Sequence, residues 1–243
     1  MRRAASCFYF LSALVLSGLL SGCGTPPPPP PVGATVPALH QVNGWPLLLA
    51  PIDDTEYNRK YKFAGPMVGV RYITIHNTAG YISAWDERNR VNDSRADRKA
   101  VSFHFAVDEK WAVQLLPLDQ CGWHAGDLHG DGNMHSIAIE ICRSNCTGKD
   151  EPLYRRSEAN AVLLAAWLLD SYRLPDNALK KHQDWSGKNC PHRILDEKRW
   201  DEFCKRVFAA RQAHRHPVVI EAPAAAPATP AAAAPVTTGN PRK

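Results

Sequence analysis

The sequence predicts one α/β domain, built on a central mixed β-sheet flanked by helices. Runs with a two-residue alternation at 70–76, 101–116 and 136–142 are followed by stretches with helical spacing near 157–172 and 196–208. The chain has 243 residues, 44% of them hydrophobic, which is enough for one domain with a substantial core and stretched for two. No internal repeat competes with this reading.

The ends stand apart from the domain. Arg2 and Arg3 precede an apolar run from Phe8 to Leu20 that is too short to span a bilayer as a mature helix and has the layout of an export signal. The run closes at Leu20, Ser21, Gly22 and Cys23, which resembles the lipobox of bacterial lipoproteins, where the cysteine is acylated and becomes the mature N-terminus. Acyl chains, at about 0.8 kcal/mol per buried methylene, would tie the protein to a lipid bilayer through Cys23. A plain secretory signal cut nearby is the alternative. Pro26 to Pro31 favour extended polyproline II and make a stalk. The C-terminal stretch of Ala, Pro and Thr offers too few large apolar groups to offset its ordering entropy. The expected organisation is a signal over 1–23, a proline-rich linker over 24–40, the folded domain over 41–212 and a disordered tail over 213–243. The expected address is the cell envelope, on the periplasmic side of the outer membrane if the source is diderm.

Within the domain, Val70 to His76 reads as a strand with Ile73 and Ile75 on one face and Tyr72, Thr74 and His76 on the other. Asn77 to Gly80 end it, which puts His76 at the C-terminal end. Val101, Phe103, Phe105 and Val107 alternate with Ser102, His104 and Ala106, and a turn at Asp108 to Lys110 leads into Trp111 to Leu116, a predicted hairpin. The strand from Ser136 to Cys142 sends Ile137, Ile139 and Ile141 one way and Ala138, Glu140 and Cys142 the other. Ser157 is the expected N-cap of a helix that runs to about Tyr172 and stops at Leu174 and Pro175. The last helix is expected from near Asp196, with Trp200, Phe203, Cys204, Val207 and Phe208 on its core stripe.

The formal charge of +5 owes much to Arg2, Arg3, Arg242 and Lys243 at the ends, and no basic block is long enough for a nucleic-acid groove. Nucleic acid is therefore excluded as a partner, and the chain is expected to be a monomer. Of seven cysteines, Cys7 leaves with the signal and Cys23 would carry lipid, so five remain in the domain. Cys142 and Cys146 could form a small-loop disulfide or stay as two thiols. An odd count leaves one cysteine for another task.

That task falls to Cys190. His182 to Pro191 joins an imidazole to a thiol, eight positions apart, across a polar glycine-containing loop. With His76 the pair makes two nitrogens and one sulfur, a donor set of catalytic zinc sites that keep a fourth position open. Taken together, Ile73 to Gly80, Val101 to Asp108, Gly122 to Gly126, Ile137 to Ile141 and His182 to Pro191 stand in the order found in type 2 N-acetylmuramoyl-L-alanine amidases. The chain resembles the bacterial and phage cell-wall branch of that family, which is similar in fold to the peptidoglycan recognition proteins. The match covers about residues 70–195.

The resemblance implies zinc held by His76, His182 and Cys190, with Glu140 and Lys188 as catalytic residues. It implies a peptidoglycan or muropeptide substrate, cut between the lactyl group of N-acetylmuramic acid and L-alanine. The residue types suit the task. An amide is a poor electrophile with a poor leaving group, so the site must activate water, stabilise an oxyanion and protonate the leaving amine. This chain departs from some members by placing Phe103 where they carry a tyrosine. His104, next along the strand, could serve as a polar substitute or be structural, and His124 could orient substrate or a ligand or be structural. His192 reads as loop structure, and His129, His135, His214 and His216 as surface. Two other functions use the same features: a peptidoglycan-binding module without activity, and a cell-wall peptidase with Cys190 as nucleophile.

Overall fold

The computed structural model describes residues 39–42, 45–92 and 100–213. The leader with Cys23, nearly all of the proline-rich segment and the tail beyond Ala213 lie outside the described residues. None of the described helices is long and apolar enough to cross a membrane.

In chain order the elements are β1 (Leu39–Val42), β2 (Trp45–Leu49), α1 (Glu56–Tyr61), β3 (Gly65–Pro66), β4 (Tyr72–Asn77), α2 (Ala84–Asn92), β5 (Phe105–Val107), β6 (Ala112–Gln114), β7 (Gln120–Cys121), α3 (Asp131–Met134), β8 (Ser136–Ile141), α4 (Glu151–Ser171), β9 (Leu179–Lys181), α5 (Gln183–Ser186), α6 (His192–Asp196) and α7 (Trp200–Ala213). Seven strands form one sheet in the order β1-β2-β6-β5-β8-β4-β9, while β3 and β7 pair separately. The sheet is mixed, as expected. β5, β8, β4 and β9 run parallel, β5 and β6 make the predicted antiparallel hairpin, and β2 joins β6 in parallel.

The alternation read from the sequence sorts β4 and β8 onto two faces. Ile73, Ile75, Ile137, Ile139 and Ile141 pack with Leu164, Leu168 and Leu169 of α4, Ile194 of α6, and Phe203 and Val207 of α7. At about 25 cal/mol per Å² of buried apolar surface, this layer is the main source of stability. On the other face, Ala106, Val113, Ala138 and Cys142 pack with Ala84 and Val91 of α2 and with Phe103. Cys142 and Cys146 belong to opposite layers, and among the described residues none of Cys121, Cys142, Cys146, Cys190 and Cys204 forms a disulfide.

Three local expectations are corrected. The strand expected from Val101 shrinks to Phe105–Val107, and Phe103 joins the layer of Ala106 rather than that of Phe105. The chain bends at His104, and the bend breaks the alternation. The long helix starts at Glu151, six residues before Ser157, with Pro152 in its first turn. Ser157 is buried inside it and donates to the Leu153 carbonyl at 2.9 Å, the back-bond of a mid-helix serine rather than a cap. The last helix, α7, starts at Trp200 rather than near Asp196, where a separate short helix, α6, ends and a turn through Lys198 at φ 56° intervenes.

Candidate metal centre and catalytic pocket

The four parallel strands end along one edge of the sheet, the place where α/β folds collect ligands. His76 is the penultimate residue of β4. Its neighbour across the ladder is Glu140 of β8, and residues directly opposite share a face. His182 follows the last residue of β9, and its backbone N–H continues the pairing by donating to the Ile75 carbonyl at 3.2 Å. Three adjacent strands thus deliver two histidines and a carboxylate to one spot.

Cys190 arrives by a different route. The loop after His182 folds into one helical turn, α5, and closes at Gly187, whose φ of 75° suits a residue without Cβ. The Gln183 N–H then donates to the Cys190 carbonyl at 3.0 Å, which folds the segment back on itself. As a result the His76 Nδ1 lies 3.0 Å from His182 Nδ1 and 3.8 Å from Cys190 Sγ. The three ligand atoms fall within 4.8 Å of one another, and the residues are 1%, 6% and 4% exposed. Two imidazoles and one thiol so placed form a donor set suited to zinc.

The electrostatics agree. Burial holds His76 well below the usual imidazole value, and it pulls His182 down to about 4, with Lys188 adding to both. Both rings are therefore neutral at pH 7, as ligation requires. Burial pushes the Cys190 thiol up to about 12, with the Glu140 charge contributing. Without a metal it stays protonated, and metal binding must displace that proton.

His124 stands behind His76. Its Nδ1 is 3.2 Å from His76 Nε2, with the rings perpendicular. With His76 Nδ1 turned toward the other two donors, its Nε2–H donates to His124, and this fixes tautomer and ring orientation. The proton of His124 then resides on Nε2, a buried atom without a partner. The His124 and Ala125 N–H groups both donate to the Asn133 Oδ1 at 2.8 Å, which holds this loop in place.

Glu140 lines a pocket of about 640 Å³ together with His124, His182, Ser186 and Lys188. Its Oε2 is buried and unpartnered, and burial, with the Glu87 charge added, raises the carboxyl to about 8, while Lys188 and Arg90 oppose the rise. Lys188 is exposed at the pocket. The apolar part of the lining is Ala100, Val101, Trp123 and Leu128.

His104 is elsewhere. It is fully buried, accepts from the Ala138 N–H at Nδ1 (3.0 Å) and donates from Nε2 to the Gln120 carbonyl (2.9 Å). Both nitrogens are spent on bracing the sheet, and burial lowers its pKa to about 4. Phe103 is equally buried in the apolar layer and does not line the pocket. Sequence reasoning missed Asn133, Glu87 and Leu128. Only the first left a signal, an Asn beside glycine within a polar loop.

A mixed-sheet α/β domain with a His-His-Cys cluster beside a buried carboxylate defines a candidate metallohydrolase. Residues 66–193 match the N-acetylmuramoyl-L-alanine amidase family, Amidase_2, and the chain belongs to that family. It is 45% identical over 145 residues to the N-acetylmuramoyl-L-alanine amidase XlyB of Bacillus subtilis, covering 59% of this chain and 44% of that protein. To the amidase CwlA of the same species it is 44% identical over 130 residues, 53% and 46% of the two lengths. The chain thus spans about half the length of these curated relatives. Among solved structures, the PlyG catalytic domain superposes with a TM-score of 0.61 at 37% identity over 70% of this chain and 98% of that one. PlyL gives 0.58 at 37% identity, over 66% and 94%.

Proposed function

We propose that this protein is a zinc-dependent peptidoglycan hydrolase that cleaves the amide between the lactyl group of N-acetylmuramic acid and the L-alanine of the stem peptide. The observation that carries the reading is the convergence of His76, His182 and Cys190 beside Glu140, at the edge of a pocket in an amidase-family fold. Those three side chains would hold the zinc, which supplies Lewis acidity toward the carbonyl and makes water nucleophilic near neutral pH.

The remaining work falls to this chain's own groups. Glu140, with an unpartnered Oε2, acts in its ionised form, toward which Lys188 and the charge of a bound zinc would draw it: it takes the proton of the attacking water and returns it to the alanyl nitrogen as the C–N bond breaks. Lys188 brings its ammonium to the oxyanion. His124 keeps the His76 Nδ1 turned toward its fellow ligands.

A cysteine-peptidase reading fits poorly, because the Cys190 thiol is buried and pushed up to about 12, whereas a nucleophilic cysteine needs an accessible thiolate. The experiment that separates the two is chelation. The purified protein treated with a chelator should lose activity on muropeptide and regain it with zinc; activity that survives chelation would point to the thiol.

The sequence before the domain adds an address. We infer export to the cell envelope with lipid attachment at Cys23, supported by Leu20, Ser21 and Gly22 before it. Cys23→Ala should move the protein from the membrane to the soluble envelope fraction, and unchanged membrane association would contradict the anchor.

A further inference from the structure

Among the described residues, four other than glycine have positive φ: Leu128, Arg143, Arg173 and Lys198. Three have ordinary reasons. Arg173 and Lys198 follow the last residues of α4 and α6, where Leu174 N–H returns to Leu169 O and Arg199 N–H to Ile194 O, the helix-ending pattern that uses the left-handed region. Arg143 is held by Glu109 at 3.0 Å and by the Tyr81 carbonyl at 2.7 Å.

Leu128 has no such reason. It is the first central residue of a turn closed by Gly130 N–H to Asp127 O at 2.9 Å, with φ 58°, and turns with positive φ there favour glycine. The turn is nevertheless enforced. Asn133 Nδ2 donates to the Leu128 carbonyl at 2.8 Å, and the Asp127 carboxylate accepts from the N–H groups of Gly132 (2.7 Å) and Asn133 (3.2 Å). The strain serves to present a leucine side chain that is 77% exposed and lines the catalytic pocket. Val101, 39% exposed, and the half-buried Trp123 line the same pocket. An unfavourable backbone that displays a large apolar group to solvent beside a reaction site is explained by what the group touches when the site is filled.

Given the amidase reading above, on which this rests, we propose that Leu128 is a specificity-determining residue: with Val101 and Trp123 it forms an apolar wall that seats the N-acetylmuramoyl sugar. The choice between the two halves of the substrate follows from charge. The stem peptide is polar and carries carboxylates, and it suits the polar part of the lining, with the Ser186 hydroxyl and the positive field around Lys188. The sugar is uncharged, with C–H faces and an acetamide methyl, and matches indole and aliphatic surface.

The test uses the full protein and two soluble substrates that share the scissile amide, N-acetylmuramoyl-L-alanyl-D-isoglutamine and the sugar-free lactoyl-L-alanyl-D-isoglutamine. The parental protein should prefer the first. In Leu128→Gly the ratio of kcat/KM between them should fall roughly tenfold or more, the value of an apolar contact in a specificity pocket, chiefly through KM for the sugar-bearing substrate. The same variant should melt about 2–4 °C higher, because glycine relieves the left-handed strain. A structural leucine would give the opposite sign. Leu128→Gln, which keeps the size but loses the apolar surface, covers the case in which the glycine variant does not fold and should also lose the preference. Val68→Ser, at an 87% exposed site outside the pocket lining, should keep it. An unchanged ratio in the Leu128 variants, or equal losses on both substrates, overturns the wall. A parental protein that cleaves neither substrate overturns the amidase reading itself.

Discussion

On one face of the sheet, Ile73, Ile75, Ile137, Ile139 and Ile141 meet α4, α6 and α7, and the buried carboxylate beside that layer is paired. The Glu158 carboxylate, 1% exposed, lies between Arg199 (2.7 Å) and Arg206 (2.6 Å). On the other face the same two strands present Thr74, His76, Ala138 and Glu140, and toward their C-terminal ends the polar groups are left open. The Glu140 Oε2 and His124 Nε2 are buried without partners, and the candidate ligand atoms of His76, His182 and Cys190 lie within 4.8 Å of one another. A residue-by-residue alternation therefore assigns stability to one face and chemistry to the other. The open groups are a cost to folding, since an unsatisfied buried polar atom loses about 1–3 kcal/mol. The apolar face carries that cost.

If this division holds, mutations on neighbouring residues of β8 should act on different observables. Glu140→Gln should lower the rate on muropeptide by about 10²–10⁴, the usual worth of general acid–base catalysis. Zinc content and melting temperature should stay near parental values, because the amide replaces a carboxyl that burial already disfavours as an anion. A folded, zinc-loaded Glu140→Gln protein with parental activity would remove Glu140 from the reaction. One residue away, Ile139→Ala should cost about 2–5 kcal/mol in denaturant unfolding, the transfer term plus the cavity. Its kcat, measured well below the melting transition, should be retained. A large loss of kcat there would show that the two faces are not separable.

The smallest effect concerns acid. The Glu158 carboxyl is held below its ordinary value of 4.5 by Arg199 and Arg206 against the opposing effect of burial. Glu197, bonded chiefly to Arg155, is held down to about 2. For both, the stabilisation is complete above the unfolded value near 4.5 and is lost as pH falls through the lower folded values. Stability should decline from pH 4.5 toward pH 2, and Glu158→Gln, about 1–3 kcal/mol less stable at pH 7, should show a shallower decline. An identical acid slope in the variant would place the dependence on other carboxylates.

Much of this arrangement was legible in the sequence, for physical reasons. The period of two in Ile73 to Ile75 and Ile137 to Ile141 assigned faces correctly, and with them the side on which His76 and Glu140 lie. Family resemblance supplied His182 and Cys190, whose approach depends on the turn of α5 and on Gly187 and has no periodic signature. What failed was local. Periodicity could not detect the bend at His104, because the hydrophobic alternation continues through it while the backbone does not. The two nitrogens of His104 are claimed by Ala138 and Gln120, partners distant in sequence. The start of α4 was missed because Ser157 looks like a cap unless its burial is known. The role of Leu128 rests on a dihedral angle, which residue identity does not encode.

The most direct measurement is mass spectrometry of the products released from purified peptidoglycan. The account predicts stem peptides with a free L-alanine amine and glycan strands that keep their lactyl carboxylates, appearing with zinc and absent after chelation. Fragments cut within the stem peptide or between sugars, or release that persists without metal, would contradict it.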